Sequence, residues 1–424
     1  MSDREKLPFL VIGGGIGGLT TALALSRHGY PVHVLERADA FAEIGAGLQL
    51  APNASRVLDR LGILDEVTKD AFFPRRLVLM DAMSGDRITA LETGEQFVRR
   101  YGYPYFVTHR ADLLRALLDA CRDSDRITLA ASKDVVEIIP LPEGARVRCA
   151  DGSVYQADAL IGADGPGSAV RRTLLPDDAA PVFPGYVAYR GTVPMADMSA
   201  ALAGLRELRD MVLWTGPGMH LVQYPVRRGE LCNLVAVFGS RRYRSDTDDW
   251  GTEEELDETF ALACPQVRGC VEVINRDRCW QLFDRVPADN WTQDHITLLG
   301  DAAHPMLQYV AQGACQALED AAVLADSLRT HDGAVAAAFK AYQTERYPRT
   351  ARVQTSARDF GEILHIDGMG AKLRTALLSQ RTHDDYSDID WLYAYRAEAP
   401  TGRPAPTGRP APTGRPAPAD REVT

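Results

Sequence analysis

Short apolar runs alternate with a helical stretch near the N-terminus. Pro8 to Ile12 is an apolar run, which is typical of a strand buried on both faces of a parallel sheet. A glycine-rich stretch follows, and Leu19 to His28 is rich in Ala and Leu, which predicts a helix that ends near Gly29. Val32 to Leu35 is a second apolar run. The pattern therefore predicts a βαβ unit of about 30 residues.

The middle of the chain, from about residue 180 to residue 280, shows strand-like alternation instead. Its clearest runs are Met211 to Trp214, His220 to Tyr224 and Asn233 to Phe238. We expect these runs to form an antiparallel sheet in a layer separate from the βαβ unit. Further along, Ile296 to Leu299 predicts another buried strand, Ala314 to Leu328 predicts a helix, and residues 340–380 are also predicted to be helical. The expected fold class is α/β (α+β), with a Rossmann-like domain, an inserted antiparallel-sheet domain and C-terminal helices.

The C-terminal tail is of low complexity. The hexapeptide APTGRP occurs three times in succession between Ala399 and Pro416. Proline blocks helix and glycine adds conformational entropy, and the repeat offers almost nothing apolar to bury. We therefore predict a disordered tail over residues 399–424, outside the folded body.

Composition narrows the class of protein. The chain has 424 residues, of which 46% are hydrophobic and 25% charged, with a net charge of −11. Such a balance argues against a nucleic-acid-binding surface, which needs clustered positive charge. The seven cysteines form no CxxC pair, so we expect buried reduced thiols and a cytoplasmic protein. No apolar stretch reaches the roughly 18 residues of a membrane span. The acidic run from Asp384 to Asp390 predicts a solvated turn, since it lacks the ligand register of a cation loop.

The glycine-rich stretch has the form GxGxxG. Gly13 permits a tight turn, Gly15 lets the backbone approach a pyrophosphate, and Gly18 lets the helix pack close to the strand. The helix N-terminus then offers N–H donors to phosphates, and Glu36 can accept from both hydroxyls of an adenosine ribose. This fingerprint predicts a dinucleotide site but does not separate NAD from FAD.

Two later motifs separate these cofactors. Gly162-Ala163-Asp164-Gly165 follows an apolar run, and Gly300-Asp301-Ala302-Ala303-His304-Pro305 follows the strand predicted near residue 300. With the N-terminal fingerprint, this ordered set resembles the single-component flavoprotein aromatic hydroxylases, from Lys6 to Tyr395. In that family the nicotinamide cofactor binds transiently and has no Rossmann domain of its own, which fits the absence of a second GxGxxG.

The resemblance implies roles for individual residues. Asp301 would bind the ribityl chain of FAD, and Arg110 would contact the FAD. Asp164 and Gly165 would contact both FAD and NAD(P)H, and Arg37 is placed with Glu36 among the FAD-binding residues. The run Glu43 to Leu48 matches the family's flavin-proximal loop. Where relatives often carry Gly-Gln-Gly-Ala-Asn, this chain has Ala311-Gln312-Gly313-Ala314-Cys315, which is its main departure from the family pattern.

The same resemblance predicts the domain limits. The FAD-binding domain would be discontinuous and the substrate-binding sheet domain inserted into it, and a homodimer is expected. The predicted ranges are 1–72, 98–178 and 278–350 for the FAD-binding domain, 73–97 and 179–277 for the sheet domain, and 351–398 for a C-terminal helical segment.

Finer marks indicate the substrate class. The runs around Tyr105, from His220 to Pro225 and around Gln308 look most similar to members of the family that convert 3-hydroxybenzoate to 2,5-dihydroxybenzoate (gentisate) with NADH and O2, NADPH being the alternative reductant. Salicylate 1-hydroxylases, which decarboxylate, and other hydroxybenzoate or hydroxynicotinate hydroxylases remain open alternatives. So do an FAD-dependent reductase or epoxidase and a non-enzymatic flavin scaffold, whereas a plain NAD-dependent dehydrogenase would not explain the later motifs.

The chemistry of this family requires a base near the phenol. Hydroxylation by a flavin C4a-hydroperoxide is an electrophilic attack, so deprotonating the phenol helps, and His is the usual base. In a strand, His220, Val222 and Tyr224 face the same side. By resemblance, His220 would act as the base and Tyr224 would hydrogen-bond or relay, while Tyr105 and Gln308 would orient the ring or its carboxylate. The alternative is that His220 is structural and the tyrosines belong to the core.

Overall fold

The computed structural model describes residues 7–42, 45–198, 209–244 and 250–397. Lys6, the Glu43–Ile44 part of the predicted flavin-proximal loop and the APTGRP tail lie outside these ranges. The strands are, in chain order, β1 (Leu7–Ile12), β2 (Val32–Leu35), β3 (Gly47–Leu50), β4 (Arg76–Asp81), β5 (Arg87–Glu92), β6 (Phe106–His109), β7 (Ile127–Ala130), β8 (Val135–Leu141), β9 (Gly144–Cys149), β10 (Val154–Gly162), β11 (Tyr186–Pro194), β12 (Met211–Gly216), β13 (Met219–Val226), β14 (Leu231–Gly239), β15 (Cys279–Gln281), β16 (Thr292–Gln293) and β17 (Ile296–Leu298).

The helices flank these strands and dominate the C-terminal part of the chain. They are α1 (Ile16–Arg27), α2 (Pro52–Arg60), α3 (Leu64–Thr68), α4 (Glu95–Tyr101), α5 (Arg110–Arg122), α6 (Ala169–Leu174), α7 (Glu253–Phe260), α8 (Pro265–Val273), α9 (Gly313–Thr330), α10 (Val335–His365), α11 (Gly368–Leu378) and α12 (Asp390–Tyr393). Short 3-10 turns cover Gly300–Ala302 and Gln308–Val310.

The first sheet is the parallel layer that the N-terminal pattern predicts. Its strand order is β16-β17-β10-β1-β2-β7, and β17, β10, β1, β2 and β7 run parallel to one another. Apolar residues of β1, α1 and α9 form its core, because helices cover a parallel sheet on both faces. The carboxyl ends of β1, β10 and β17 therefore meet at one edge, where such sheets bind ligands.

The second sheet has the order β15-β11-β14-β13-β12-β4-β5. It is antiparallel except where β12 pairs with β4 in the parallel sense. Along β13, Leu221 packs with α7 and α8 on one face, whereas Val222 and Tyr224 pack toward the β3–β6 ribbon on the other. The predicted fold class is confirmed by these two sheets and the helices around them, while the predicted domain limits stay a prediction.

Some local predictions were wrong. Helix α1 begins at Ile16 rather than Leu19, because the glycine-rich turn continues directly into the helix. The helical stretch predicted over residues 340–380 is interrupted at Ile366 and Asp367, where Ile366 is extended and the side chain of Asp367 caps α11. Helices α7 and α8 lie within residues 180–280, which were expected to form an antiparallel sheet.

Candidate active site

The GxGxxG turn forms a cradle at the end of β1. Gly13 has φ +105°, and a Cβ there would lie 2.3 Å from the carbonyl oxygen of Ala163, so a side chain is excluded. A Cβ on Gly18 would lie 1.9 Å from the oxygen of Gly13. Gly15 caps α1 without a side-chain hydrogen bond, and the first turn of α1 carries no acidic residue. The N–H groups of this turn are therefore suited to an anion such as a pyrophosphate.

Glu36 closes this turn from the end of β2. Its Oε2 accepts a hydrogen bond from the backbone N–H of Gly14 at 2.7 Å, and Oε1 accepts from that of Ala38 at 2.9 Å. A carboxylate has about four acceptor positions, so these bonds leave capacity for the ribose hydroxyls predicted to bind there. Arg37, which follows Glu36, is exposed at the same edge.

The central motif is held by its own aspartate. The carboxylate of Asp164 accepts from the hydroxyl of Ser168 and from the backbone N–H of Ala169 at 2.7 Å, so it caps α6. Burial raises the pKa of Asp164. Gly165 has φ +75°, a turn conformation that favours glycine. Asp164 thus has a structural role, and the cofactor contacts predicted for Asp164 and Gly165 stay predictions.

The third motif meets the first one in space. A Cβ on Gly17 would lie 2.9 Å from Cδ2 of Leu299, immediately before the Gly300–Ala302 turn. Asp301 is exposed on this turn, and its Oδ1 lies 3.7 Å from the place of a Cβ on Gly313, at the start of α9. Helix α9 has no side-chain cap and no acid in its first turn. Asp301 and the N-terminus of α9 are therefore suited to bind polar groups of one ligand.

Arg110 lies at the start of α5 beside the β3–β6 ribbon. Its backbone N–H donates to the carbonyl of Ala46 at 2.9 Å, and its side chain is half-buried. This hydrogen bond joins the described part of the predicted flavin-proximal loop to the start of α5. Arg110 therefore lies beside the point where the loop ends and β3 begins. The contact predicted between Arg110 and FAD stays a prediction.

His220 is paired with a second histidine. Its Nδ1 lies 2.7 Å from Nε2 of His365, the last residue of α10, and both side chains are buried. The ring of Tyr309 meets both imidazoles edge-on, at centroid distances of 5.4 Å. Burial, and to a smaller degree His365, lowers the pKa of His220 well below its ordinary value. His220 is therefore neutral at physiological pH.

Tyr224 and Tyr105 meet at the other end of the same strand face. The hydroxyl of Tyr105 donates to Oε1 of Gln49 on β3, and the Gln49 side chain also hydrogen-bonds Tyr224. Burial raises the pKa of both tyrosines, so both hydroxyls stay protonated. Tyr224 lies four residues beyond His220, about 13 Å along the strand. Only Val222 separates them on that face.

The segment that carries Gln308 crosses above this face. Met306 and Val310 pack in the cluster that contains Tyr224, while Leu307 and Tyr309 pack in the cluster next to His220. Gln308 itself is half-buried in the Gln308–Val310 turn. The structure therefore brings His220, Tyr224 and Tyr105 to one face and holds the Gln308 segment over it, although it assigns no partner to the Gln308 amide.

Comparison with known proteins identifies the family of this chain. The family model described as an FAD binding domain matches residues 6–357. The chain is 40% identical to a 3-hydroxybenzoate 6-hydroxylase of Klebsiella oxytoca over 92% of this chain and 97% of that protein. It is 38% identical to a 3-amino-4-hydroxybenzoate 2-monooxygenase of Streptomyces platensis over 92% and 96%, respectively.

The chain belongs to the FAD-dependent aromatic hydroxylases. Its fold is also that of Klebsiella pneumoniae HpxO, solved with FAD and uric acid, with a TM-score of 0.78 and 27% identity over 92% of this chain and 96% of that one. The glycine cradle and the uncapped starts of α1 and α9 fit the FAD that this family binds. That Gly13, Gly15, Gly18, Glu36 and Asp301 hold it stays a prediction.

The hydroxylase also contains a buried polar network that sequence reasoning missed. Arg346 of α10 donates to Asp320 and Glu319 of α9, each at 2.6 Å, and His304 lies 2.6 Å from Asp320. Arg349 donates to Glu319 at 2.6 Å and 2.7 Å. This network fixes α9 and the Gly300–Ala302 turn to α10. Glu319 and Asp320 could not be recognised from the sequence as part of a network, because their arginine partners lie on α10.

Two absences complete the description of the hydroxylase. Over the described ranges, no helix combines the length and apolarity needed to cross a bilayer. Among these same residues, no group of three or more His, Cys, Asp or Glu side chains is placed to hold a metal ion.

Proposed function

We propose that this hydroxylase uses FAD, NADH and O2 to hydroxylate 3-hydroxybenzoate to 2,5-dihydroxybenzoate. The observation that carries the proposal is the single strand face with a neutral imidazole, His220, at one end and the hydroxyls of Tyr224 and Tyr105 at the other. A phenolic acid has a weakly acidic hydroxyl and a carboxylate on one ring, so the two ends match its two functional groups. The similarity to a 3-hydroxybenzoate 6-hydroxylase supports the same choice.

Each residue of this face has a proposed role. His220 takes the proton of the substrate phenol, which makes the ring electron-rich at the carbon to be hydroxylated. Tyr224 hydrogen-bonds the substrate or relays a proton, and Tyr105 and Gln308 orient the ring or its carboxylate. The buried apolar residues around Val222 and Tyr309 exclude water from the ring.

The cofactor is held at the adjoining sheet edge. FAD, when bound, supplies the activation of O2 that aromatic hydroxylation requires. The α1 N-terminus binds its pyrophosphate, Glu36 its adenosine ribose and Asp301 its ribityl chain, and Arg37, Arg110, Asp164 and Gly165 complete the site. NADH binds transiently as the reductant, with NADPH as the alternative. We also propose that the protein is a cytoplasmic homodimer. Light scattering after size-exclusion chromatography measures its oligomeric state.

The deciding experiment follows NADH oxidation, O2 uptake and products by chromatography for the purified flavoprotein. With 3-hydroxybenzoate we expect gentisate and near one-to-one coupling of NADH to product. If the enzyme forms catechol and CO2 from salicylate, salicylate replaces 3-hydroxybenzoate as the proposed substrate. If 3-amino-4-hydroxybenzoate is the only compound that gives a hydroxylated product, it becomes the proposed substrate instead. NADH consumption that yields only peroxide with 3-hydroxybenzoate would also reject it.

Variants test the assigned residues. We expect His220→Ala to lose coupled hydroxylation by roughly 10²-fold or more, the range of general acid–base catalysis. Tyr105→Ala and Gln308→Ala should weaken substrate binding. If His220→Ala retains full coupled hydroxylation, the base lies elsewhere, and if the other two variants leave both affinity and catalysis unchanged, their assignment is wrong.

A further inference from the structure

The contact between His220 and His365 constrains the protons of both rings. At 2.7 Å between Nδ1 of His220 and Nε2 of His365, one nitrogen donates and the other accepts, so a single proton lies between them. A second proton would place two N–H groups head to head inside a buried cluster. The pair therefore has two arrangements, and only one of them leaves Nε2 of His220 as an acceptor.

The surroundings of His365 hold its ring in place. Tyr186 stacks on it at a centroid distance of 4.3 Å, and Tyr309 meets its edge. Its backbone carbonyl accepts from the N–H of Gly218, at the start of the strand that bears His220, at 2.9 Å. Arg374 of α11 donates to the carbonyl of Leu364 at 3.0 Å and to the hydroxyl of Thr215 at 3.0 Å. The end of α10 is thus fixed to the sheet at the row that holds His220.

The charges around the pair keep it neutral. Burial and the nearby Arg374 guanidinium lower the pKa of His365 to about 4, and Tyr186 and Tyr309 are kept protonated because burial raises their pKa values. Glu362 adds to the rise at Tyr186, and Asp81 faces Arg374. No described carboxylate pairs with either imidazole, so a proton taken up by His220 has no local anion to hold it.

His365 lies nearer to solvent than His220, although the residue is only 7% exposed. It is the last residue of α10, and the two residues that follow, Ile366 and Asp367, are exposed. His220, by contrast, is 2% exposed. A proton that reaches the outer nitrogen of His365 has a shorter way to water than one left on His220.

We propose that His365 is the positioning and relay partner of His220, fixing its tautomer and carrying the phenolic proton of the substrate toward solvent. This inference rests on the proposed function. The substrate O–H bond breaks as an N–H bond forms at Nε2 of His220. The proton on Nδ1 of His220 then passes to Nε2 of His365, and the proton on Nδ1 of His365 passes to water. No electron is transferred. The pair returns to its starting arrangement when the relay runs in reverse: water protonates Nδ1 of His365, Nε2 of His365 returns its proton to Nδ1 of His220, and Nε2 of His220 gives its proton to the phenolate oxygen of the product.

The test compares the wild type with His365→Gln and His365→Phe, and uses His383→Gln, which alters an exposed histidine, as the matched control. Gln can accept the hydrogen bond of His220 but cannot pass a proton on, whereas Phe does neither. 3-Hydroxybenzoate is mixed with the oxidised flavoprotein. Stopped-flow absorbance then follows phenolate formation, and a pH indicator follows proton release across a pH series.

We expect His365→Gln to keep the Kd for 3-hydroxybenzoate within about threefold while proton release slows by about tenfold or more. His365→Phe should lose roughly 10²-fold in coupled hydroxylation, with the pH dependence of phenolate formation shifted. His383→Gln should match the wild type. Wild-type proton release and an unshifted pH profile in both His365 variants would overturn the proposal.

A second measurement separates this proposal from the proposed function. Nitrogen-15 NMR of histidine-labelled holoenzyme, without substrate, reports the tautomers of both rings and the proton they share. Coupled tautomers that are lost in His365→Gln support the pair even if 3-hydroxybenzoate proves not to be the substrate. Two independent imidazoles in the wild type would overturn the pair, whatever the enzyme hydroxylates.

Discussion

Nε of Arg346 lies 2.6 Å from Oδ1 of Asp320, and both side chains are fully buried. Although burial alone raises the pKa of Asp320, His304 and Arg346 together lower it to about 2, so the carboxylate is charged inside the protein. The other oxygen of Asp320 accepts from the backbone N–H of Gly300 at 3.0 Å. One ion pair therefore fixes the turn that carries Asp301 to the long helix α10.

Removing Arg346 should destabilise the hydroxylase strongly. In Arg346→Met the carboxylates of Asp320 and Glu319 lose their shared buried cation, and breaking such a pair costs about 3–5 kcal/mol. Urea unfolding followed by circular dichroism measures this loss, and flavin content should fall with it. Arg352→Ala is the control on the same helix, because exposed Arg352 only stacks on Trp391 and should cost about 1 kcal/mol or less. Equal stability of Arg346→Met and the wild type would refute the role of this network.

Replacing Ala311 with glycine should stabilise the hydroxylase. Ala311 adopts φ +52°, in the left-handed region that favours glycine. A non-glycine residue there is strained by about 1–2 kcal/mol, of which the entropy of glycine offsets about half. We expect Ala311→Gly to raise the free energy of unfolding by about 0.5–1 kcal/mol.

The control for Ala311 lies three residues further along. Ala314→Gly introduces glycine into the first turn of α9 and should lower the free energy of unfolding by about 0.5–1 kcal/mol. Opposite signs in one denaturation series would locate the strain at Ala311. A loss of stability in Ala311→Gly would show that its conformation is not strained.

Local patterns predicted the parts of the fold that depend on neighbours in sequence. The apolar run of β1, the glycine turn and α1 follow one another, so their order alone indicates the βαβ unit. The start of helix α7 is also marked in the sequence, because Thr252 and Glu255 form a capping box there. The pairing of His220 with His365 could not be predicted from the sequence, because 145 residues separate them and the packing of α10 brings them together.

Gly18 should be essential for holding FAD. A Cβ at Gly18 meets the carbonyl oxygen of Gly13, which is backbone and cannot swing aside, so Gly18→Ala must push α1 away from the turn. We expect the purified variant to retain less than about a tenth of the wild-type flavin, since the pyrophosphate site depends on this approach. Gly94→Ala, where a Cβ meets nothing within 4 Å, should keep its flavin. Full flavin content in Gly18→Ala would place the cofactor elsewhere.

Gln49 should support substrate binding, because its side chain hydrogen-bonds both Tyr105 and Tyr224. In Gln49→Leu the buried hydroxyl of Tyr105 loses its acceptor, and leaving such a group unpaired costs about 1–3 kcal/mol. The Kd for 3-hydroxybenzoate, measured by flavin absorbance, should rise while flavin content is kept. Gln156→Leu, at an exposed pair with Arg146, is the matched control and should change neither quantity. Unchanged stability and Kd in Gln49→Leu would remove Gln49 from the site.

His365 should make stability depend on pH between 7 and 5. Its pKa is about 4 in the folded chain, against an ordinary value of 6.5, so the unfolded chain binds the extra proton in this window. Stability is then highest above pH 6.5 and is lost as the pH falls toward 4, which amounts to about 2 kcal/mol between pH 7 and pH 5. His365→Gln should remove this part of the dependence even if it is less stable at pH 7, whereas His383→Gln should keep the full wild-type slope. Urea titrations at pH 7, 6 and 5 compare the three proteins, and parallel slopes for all three would mean that His365 is not held neutral by its burial against His220.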